Sequence, residues 1–342
     1  MAALAGLTIY IIAKEFGLSS VIDVLKSINP LFLIPAVLCM FMFSLGEALN
    51  IRLGLKLSGY KTGLLSALKY AYTGFFFSSI TPSASGGQPA QIYVMHKDRI
   101  KVSHASFSLL LELIGYETAS ITIASIGLIV SLVSPLKLFE GISIGWVLVL
   151  GFLVNFILLT GLLLIMFSNK AVKAIACAII KICSLFSKDK KIKSKLLKTF
   201  AEYRLSANRL KNNKGVLLKV ILISLLQFGA YHSITYFCYR SFGLSERNLL
   251  EIMSLQGLLF TSVSCIPLPG SSGAMEGGFG LLFRKVFSEG IIGSAIVLCR
   301  LVSFALPLVL SGLFLLIAGR SEKSYGRIEE SAITGSGAGR AA

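Results

Sequence analysis

Two long apolar stretches of the chain are broken by Gly/Pro-rich runs, and the breaks fall at corresponding places in its two halves. The first is Thr81-Pro82-Ser83-Ala84-Ser85-Gly86-Gly87-Gln88-Pro89. The second runs from Pro267 to Gly278 and holds Pro269-Gly270-Ser271-Ser272-Gly273-Ala274-Met275-Glu276. Broken backbone in hydrocarbon is tolerated only where protein or a wet cavity satisfies its polar groups. Matched interruptions of this kind point to a transporter with a binding site near the bilayer midplane.

Composition supports a membrane setting. Of 342 residues, 55% are hydrophobic and only 14% charged, against about 25% charged in a soluble domain. The apolar runs are long and uninterrupted, as spanning helices require, and lack the alternation of barrel strands. The fold class expected is an all-α polytopic membrane protein. The six cysteines form no CxxC pair and mostly lie in apolar runs, so they read as small buried hydrophobes. With three histidines in the chain, neither a metal site nor a cofactor is expected.

The net charge of +17 is uneven. Between Lys170 and Lys219 stand fourteen Lys/Arg against two acids, Asp189 and Glu202. Because this run flanks apolar spans, it marks a cytoplasmic side and a surface for anionic lipid headgroups rather than a nucleic-acid site.

Spans are expected at Pro30–Asn50, His104–Val133, Ser143–Phe167, Gly215–Tyr239 and Ile291–Ala318. A short first helix precedes them, and Leu18–Asn29 has an amphipathic pattern. Basic residues lie on both sides of Thr62–Met95, which therefore reads as a re-entrant hairpin from the cytoplasm. Leu249–Phe287 reads as its counterpart from outside. This layout places 24 Lys/Arg inside against seven outside, a strong positive-inside bias. Residues 1–143 and 144–320 then form an inverted-topology repeat within one transport domain, with a basic cytoplasmic loop at 169–214. Both termini are expected in the cytoplasm. Residues 321–342 are polar and rich in small residues, hence disordered, and Gly335–Gly339 resembles an artificial linker.

Ionisable groups at membrane depth cost roughly 2.5–3.5 kcal/mol each, so each needs an explanation. The candidates are Glu47, Glu112, Glu117, Glu276 and Arg300. Glu112 and Arg300 follow their respective breaks at similar distances and are expected to meet at the repeat interface. Such a pair either fastens two helices or contacts substrate, and both hold if it opens during transport. Gly86-Gly87 and Gly270/Gly273 permit positive φ and close backbone approach. A half-helix starting after each break aims free N–H groups and a positive dipole end at the break, which suits a phosphate. Ser83, Ser85, Gln88, Ser271 and Ser272 add donors; the alternative is that these residues only cap broken helices. Glu276 either carries a proton or caps the following half-helix. His232 reads as a satisfied core histidine. No P-loop, GxSxG, HExxH or dinucleotide fingerprint occurs in a usable context.

At these residues the chain resembles the membrane domain of lysylphosphatidylglycerol synthase/flippase proteins (multiple peptide resistance factor) and their stand-alone relatives. The resemblance covers about residues 1–320. It rests on Thr81-Pro82 with Gly86-Gly87-Gln88, on Pro269 through Glu276, and on Arg300 with Leu306-Pro307 and Gly312. It implies movement of a lipid between leaflets of a bacterial-type plasma membrane. No synthase domain follows Ala318, so a non-enzymatic transporter is expected, and Gln88 and Gln91 suggest a different substrate preference. The expected function is a phospholipid translocase for an anionic or aminoacylated phospholipid or a related lipid-linked substrate; the alternative is an ion-coupled carrier of a small soluble anion. The expected substrate contacts are Glu47, Thr81, Pro82, Ser85, Gly86, Gly87, Gln88, Gln91, Glu112, Pro269, Gly270, Ser271, Ser272, Gly273, Glu276 and Arg300. The partners expected are the phospholipid substrate and surrounding lipids, with self-association left open.

Overall fold

The computed structural model describes residues 18–133, 144–186, 190–264, 266, 271 and 273–317. The described secondary structure is helical throughout. Five helices are long and apolar enough to cross a membrane: Pro30–Leu57, Val102–Ser131, Val149–Phe167, Lys214–Ser241 and Glu289–Ile317. They coincide with the five spans expected from sequence. The expected first helix, the 134–143 loop and the tail lie outside the described residues.

The amphipathic α1 (Leu18–Ser27) buries Val24 against the core. A single-turn helix at Pro30–Phe32 leads into α2 (Leu33–Leu57), whose Pro35 falls in the first turn, where a missing N–H costs nothing. The helix stops at Gly59, whose φ of +94° lets Tyr60 N–H turn back to Leu55 O at 3.0 Å. Next come α3 (Leu64–Ile80) and α4 (Gly87–Lys97). The break between them has a local cause: Pro82 drives Thr81 to an extended ψ of 144°, ending α3. The Thr81 hydroxyl then donates to Phe77 O at 2.6 Å and accepts from Gly86 N–H at 2.9 Å, capping both sides of the turn.

The long α5 (Val102–Val133) is followed by α6 (Ile144–Phe167), α7 (Asn169–Phe186), the basic α8 (Lys190–Asn212) and α9 (Lys214–Ser241). The basic loop expected at 169–214 is thus mostly two helices. A capping box, in which Asn248 and Glu251 each accept from the other's backbone N–H, starts α10 (Leu249–Val263). After the second break comes α11 (Ala274–Leu282), then α12 (Glu289–Ile317). A π turn at Leu301–Ala305 widens α12 just ahead of Pro307, whose ring would otherwise press on the preceding turn.

The core joins α2, α5, α9 and α10. Small residues allow close approach: a Cβ on Gly54 would come within 2.7 Å of Ser108 Cα, whose hydroxyl donates to Ile51 O at 2.7 Å. α3 packs on the middle of α12 through Phe76, Phe304 and Leu308.

The ends of the elements are sorted. At one end α8 caps two helices, with Arg209 donating to Leu57 O at 3.2 Å and Lys211 to Phe167 O at 2.9 Å. Lys101, just before α5, pairs with Glu202 of α8 at 2.7 Å, and its N–H reaches Tyr60 Oη at 3.2 Å. Lys69 and Tyr70 of α3 both bond Asp98, just past α4, so these two helices run antiparallel and open toward this end. At the other end Asn29 N–H donates to Ser241 O at 2.8 Å. There Arg247 N–H meets Tyr239 Oη at 3.2 Å, and Phe287 stacks edge-on to Tyr239. The α10–α11 segment therefore begins and ends at the pole opposite to α3–α4.

Candidate functional site

Both breaks wall one cavity of about 400 Å3. From the first segment come Gly74, Ser78, Ser79, Ala84, Gln88 and Gln91. From the second come Phe260, Ser264, Ile266, Ser271 and Met275. The helices around them add Glu47 of α2, Glu112, Tyr116 and Glu117 of α5, Asn155 and Leu158 of α6, Tyr231 of α9, and Arg300, Ser303 and Phe304 of α12. Ala84, Gln88, Leu158 and Ser264 are exposed, so the cavity is open at a rim between the first break and α6. This size suits a polar headgroup, given ligand pockets of about 300–1,000 Å3.

The second break supplies the cationic wall. Gly273, at φ +83°, precedes α11, and its N–H donates to the Glu276 carboxylate. The other oxygen of that carboxylate lies 2.6 Å from Arg300 Nε. Arg300, 6% exposed, also stacks over Phe304 with Cζ 4.4 Å from the ring centroid. Glu276, Arg300, Tyr231, Met275 and Ser303 also line a small adjoining pocket. Glu276 thus does both things expected of a cap, satisfying a helix N-terminus and holding a cation. The expected meeting of acid and base takes a different form: the carboxylate beside Arg300 comes from α11, and Glu112 faces the cavity from α5.

The first break supplies a neutral wall. Gln91 is 4% exposed and its amide donates to Glu47 Oε1 at 3.0 Å and to Tyr70 O at 3.2 Å, locking α4 to α2 and α3. Gln88 is exposed on the cavity wall. Thr81, Pro82, Ser85 and Gly86 form the turn itself, and the Ser85 hydroxyl is spent on Pro82 O at 2.8 Å. Gly273 takes the positive φ expected of it, but the glycines of the first break act differently. Gly86 has an ordinary φ of −83°, and the left-handed residue of that turn is Ala84, with Ser271 left-handed beside Gly273 in the second break. What Gly87 provides is space, because a Cβ there would collide with the Ser78 hydroxyl and sit 3.0 Å from Gly74 O. Pro269, Gly270 and Ser272 lie outside the described residues.

One group, Asn155, escapes sequence reasoning, and two groups read from sequence, Glu117 and His232, have surroundings that spacing could not give. Asn155 donates to Gly151 O, Thr261 O and Ser264 Oγ at 2.7, 3.0 and 3.1 Å, pinning α6 to the end of α10. Its signal was a neutral amide in an otherwise apolar run. Glu117 is 8% exposed, lines the cavity and leaves one carboxylate oxygen without a hydrogen-bond partner. His232 is fully buried among Phe228, Tyr231 and Phe260, and neither ring nitrogen has a hydrogen-bond partner, so it is not the satisfied histidine expected.

Outside the spanning helices, Lys101 and Ser103 hold the Glu202 carboxyl below its usual range by hydrogen bonding. The same contact raises Lys101. Burial raises the Tyr203 hydroxyl of α8.

Known proteins place this architecture. A "UPF0104 membrane protein" of Archaeoglobus fulgidus is 26% identical over 289 residues, covering 82% of this chain and 85% of its own. A second, from Pyrococcus horikoshii, is 23% identical, covering 88% of this chain and 91% of its own. A third, from Methanocaldococcus jannaschii, is 25% identical, covering 94% and 95%. All three are archaeal, where the resemblance alone implied a bacterial protein. The family model described as "Lysylphosphatidylglycerol synthase TM region" matches residues 1–311. This multi-pass membrane protein therefore belongs to the lysylphosphatidylglycerol synthase TM region family.

Proposed function

We propose that the protein is a phospholipid translocase that passes a lipid headgroup through this cavity while the acyl chains stay in the bilayer. The observation that carries it is one cavity walled by both breaks whose lining includes Leu158, which is 49% exposed on an apolar helix and supports a sideways opening. A carrier of a small soluble anion needs no lateral rim. The phosphate sits between the breaks, held by Arg300 and by free N–H groups at the starts of α4 and α11. Glu47, Glu112 and Glu276 receive the cationic part of an aminoacylated headgroup. Acyl chains run past Leu158 along the outer face of α6.

In this reading the end carrying α8 is cytoplasmic, both termini lie there, and the membrane is the plasma membrane. The two broken segments are re-entrant hairpins from opposite leaflets, related as halves of an inverted repeat. Their openings at opposite poles of the molecule support this. The basic α7–α8 region rests on anionic headgroups.

The test is purified protein in liposomes with a fluorescent phospholipid and an outside quencher. Exchange faster than in empty vesicles is expected, and Arg300→Ala and Glu276→Gln should slow it without loss of the folded fraction. Equal rates in protein-loaded and empty vesicles, with uptake of a soluble organic phosphate instead, would establish the alternative carrier.

A further inference from the structure

The headgroup reading leaves Glu117 without a role, and gives Glu47 and Glu112 a partner only while a cationic headgroup occupies the cavity. Three carboxylates face it, Glu47 from α2 and Glu112 and Glu117 from α5, while the cavity's one guanidinium is already beside Glu276. Glu47 takes an amide donor from Gln91. Glu117, 8% exposed, has a carboxylate oxygen with no donor at all. A carboxylate in such a place needs a cation or a proton. Among the described residues, no three acidic, His or Cys side chains are grouped closely enough to hold one metal ion. A proton neutralises one carboxylate at a time and needs no such grouping.

We infer that Glu117, with Glu112 and Glu47, forms an exchangeable proton site that couples headgroup movement to a proton gradient. This rests on the translocase reading and adds its energy source. The bookkeeping is plain: a proton enters from one side, a carboxylate becomes a neutral carboxylic acid, and the proton leaves to the other side. No covalent bond to substrate forms. The charged and titratable groups facing the site are Tyr116 on α5 itself, Tyr231 from α9, Glu276 from α11 and Arg300 from α12. The α3–α4, α6 and α10 walls contribute amides, hydroxyls and Phe260, none of which titrates as an acid in the working range. His232 does not line the cavity. Protonation removes negative charge opposite Arg300, so an anionic phosphate enters the protonated cavity more readily than the ionised one. Release of the proton on the other side expels the headgroup.

Two measurements test this on the full-length protein. In proteoliposomes carrying a fluorescent phospholipid, a gradient of one pH unit supplies about a tenfold driving ratio per proton. Wild type should translocate several-fold faster with the gradient than without it, and Glu117→Gln should lose that increment. Translocation indifferent to the gradient, or driven by sodium but not by protons, overturns the proton site while leaving the translocase intact. Infrared difference spectroscopy of detergent-purified protein gives a readout free of transport. A protonated-carboxyl band should titrate in wild type and shrink in Glu117→Gln, with Glu112→Gln as the second variant should the first fail to fold. If no such band exists, the proton site is wrong even where lipid moves; if the band exists but lipid does not move, the translocase reading fails and the proton site stands.

Discussion

Arg300 Nε lies 2.6 Å from Glu276 Oε1, bridging α12 and the first turn of α11. The same carboxylate accepts from Gly273 N–H. One side chain thus fixes both the start of a broken helix and the cavity's cation. Truncating Arg300 to Ala leaves Glu276 without its partner in a low-dielectric site, a loss of about 3 kcal/mol. The double change Arg300→Ala with Glu276→Gln should melt higher than Arg300→Ala alone, because the stranded charge is gone. Thermal melts in detergent read the difference, and equal midpoints would show that the pair is not coupled.

Gly87→Ala should destabilise the first break. The added methyl meets the Ser78 hydroxyl and Gly74 backbone, and overpacking of this kind costs about 1–3 kcal/mol. Gly215→Ala, in the first turn of α9 where nothing lies within 4 Å of the added Cβ, is the matched control and should not destabilise. A denaturation series on both variants checks the contrast.

Cys238 on α9 and Cys299 on α12 are buried, free thiols on neighbouring helices. In a variant whose other four cysteines are serine, a mild oxidant should join this pair, detectable as loss of two free thiols by mass spectrometry. The bond would tie α12, with Arg300 beside Cys299, to α9. Translocation should fall sharply on oxidation and recover with reductant; unaffected transport would mean that α12 and α9 keep their separation through the cycle.

Attachment of α8 should depend on pH with a defined sign. Glu202 is held below its usual range, so its contribution is complete above the ordinary carboxylate value of about 4.3 and is lost as pH falls through the depressed one. Lys101 is raised, so its contribution is complete below about 10.4 and is lost only as pH rises through the raised value. Hydrogen-exchange protection of α8 should stay flat between these limits and drop in strong acid. Glu202→Gln should flatten the acid limb.

Narrowing the rim tests the lateral opening. Leu158→Trp adds bulk at an exposed rim position and should slow a two-chain phospholipid more than a water-soluble phosphate. Equal effects on both would place the entrance elsewhere.

The helices were legible because each is written locally. A run such as Ile144–Phe167 has no polar alternative to a span, and Thr81-Pro82 ends a helix by sterics alone. Glu47, Gln88, Gln91, Glu112, Ser271 and Arg300 were also nameable, because polar groups in apolar runs need a reason, and all six face the one cavity. The roles were less legible. The carboxylate beside Arg300 could not be read from spacing, since the pseudo-symmetric interval pointed to Glu112 and the partner in space is Glu276. Gly273 supplies the unusual φ expected of it, but in the first break Ala84 carries it rather than Gly86 or Gly87, and Gly87 is small to admit Ser78.

The amino-acid pattern by itself determined that this chain is a helical membrane protein, where its helices break and which polar residues lie at depth. Those properties follow from local backbone sterics and from the cost of polar groups in hydrocarbon. Only the tertiary structure decided that the two breaks share one cavity, that Arg300 answers to Glu276, and that one Glu117 carboxylate oxygen is left without a donor. Those depend on contacts between helices up to hundreds of residues apart, and helix packing is set by side-chain shapes meeting in space rather than by any interval along the chain.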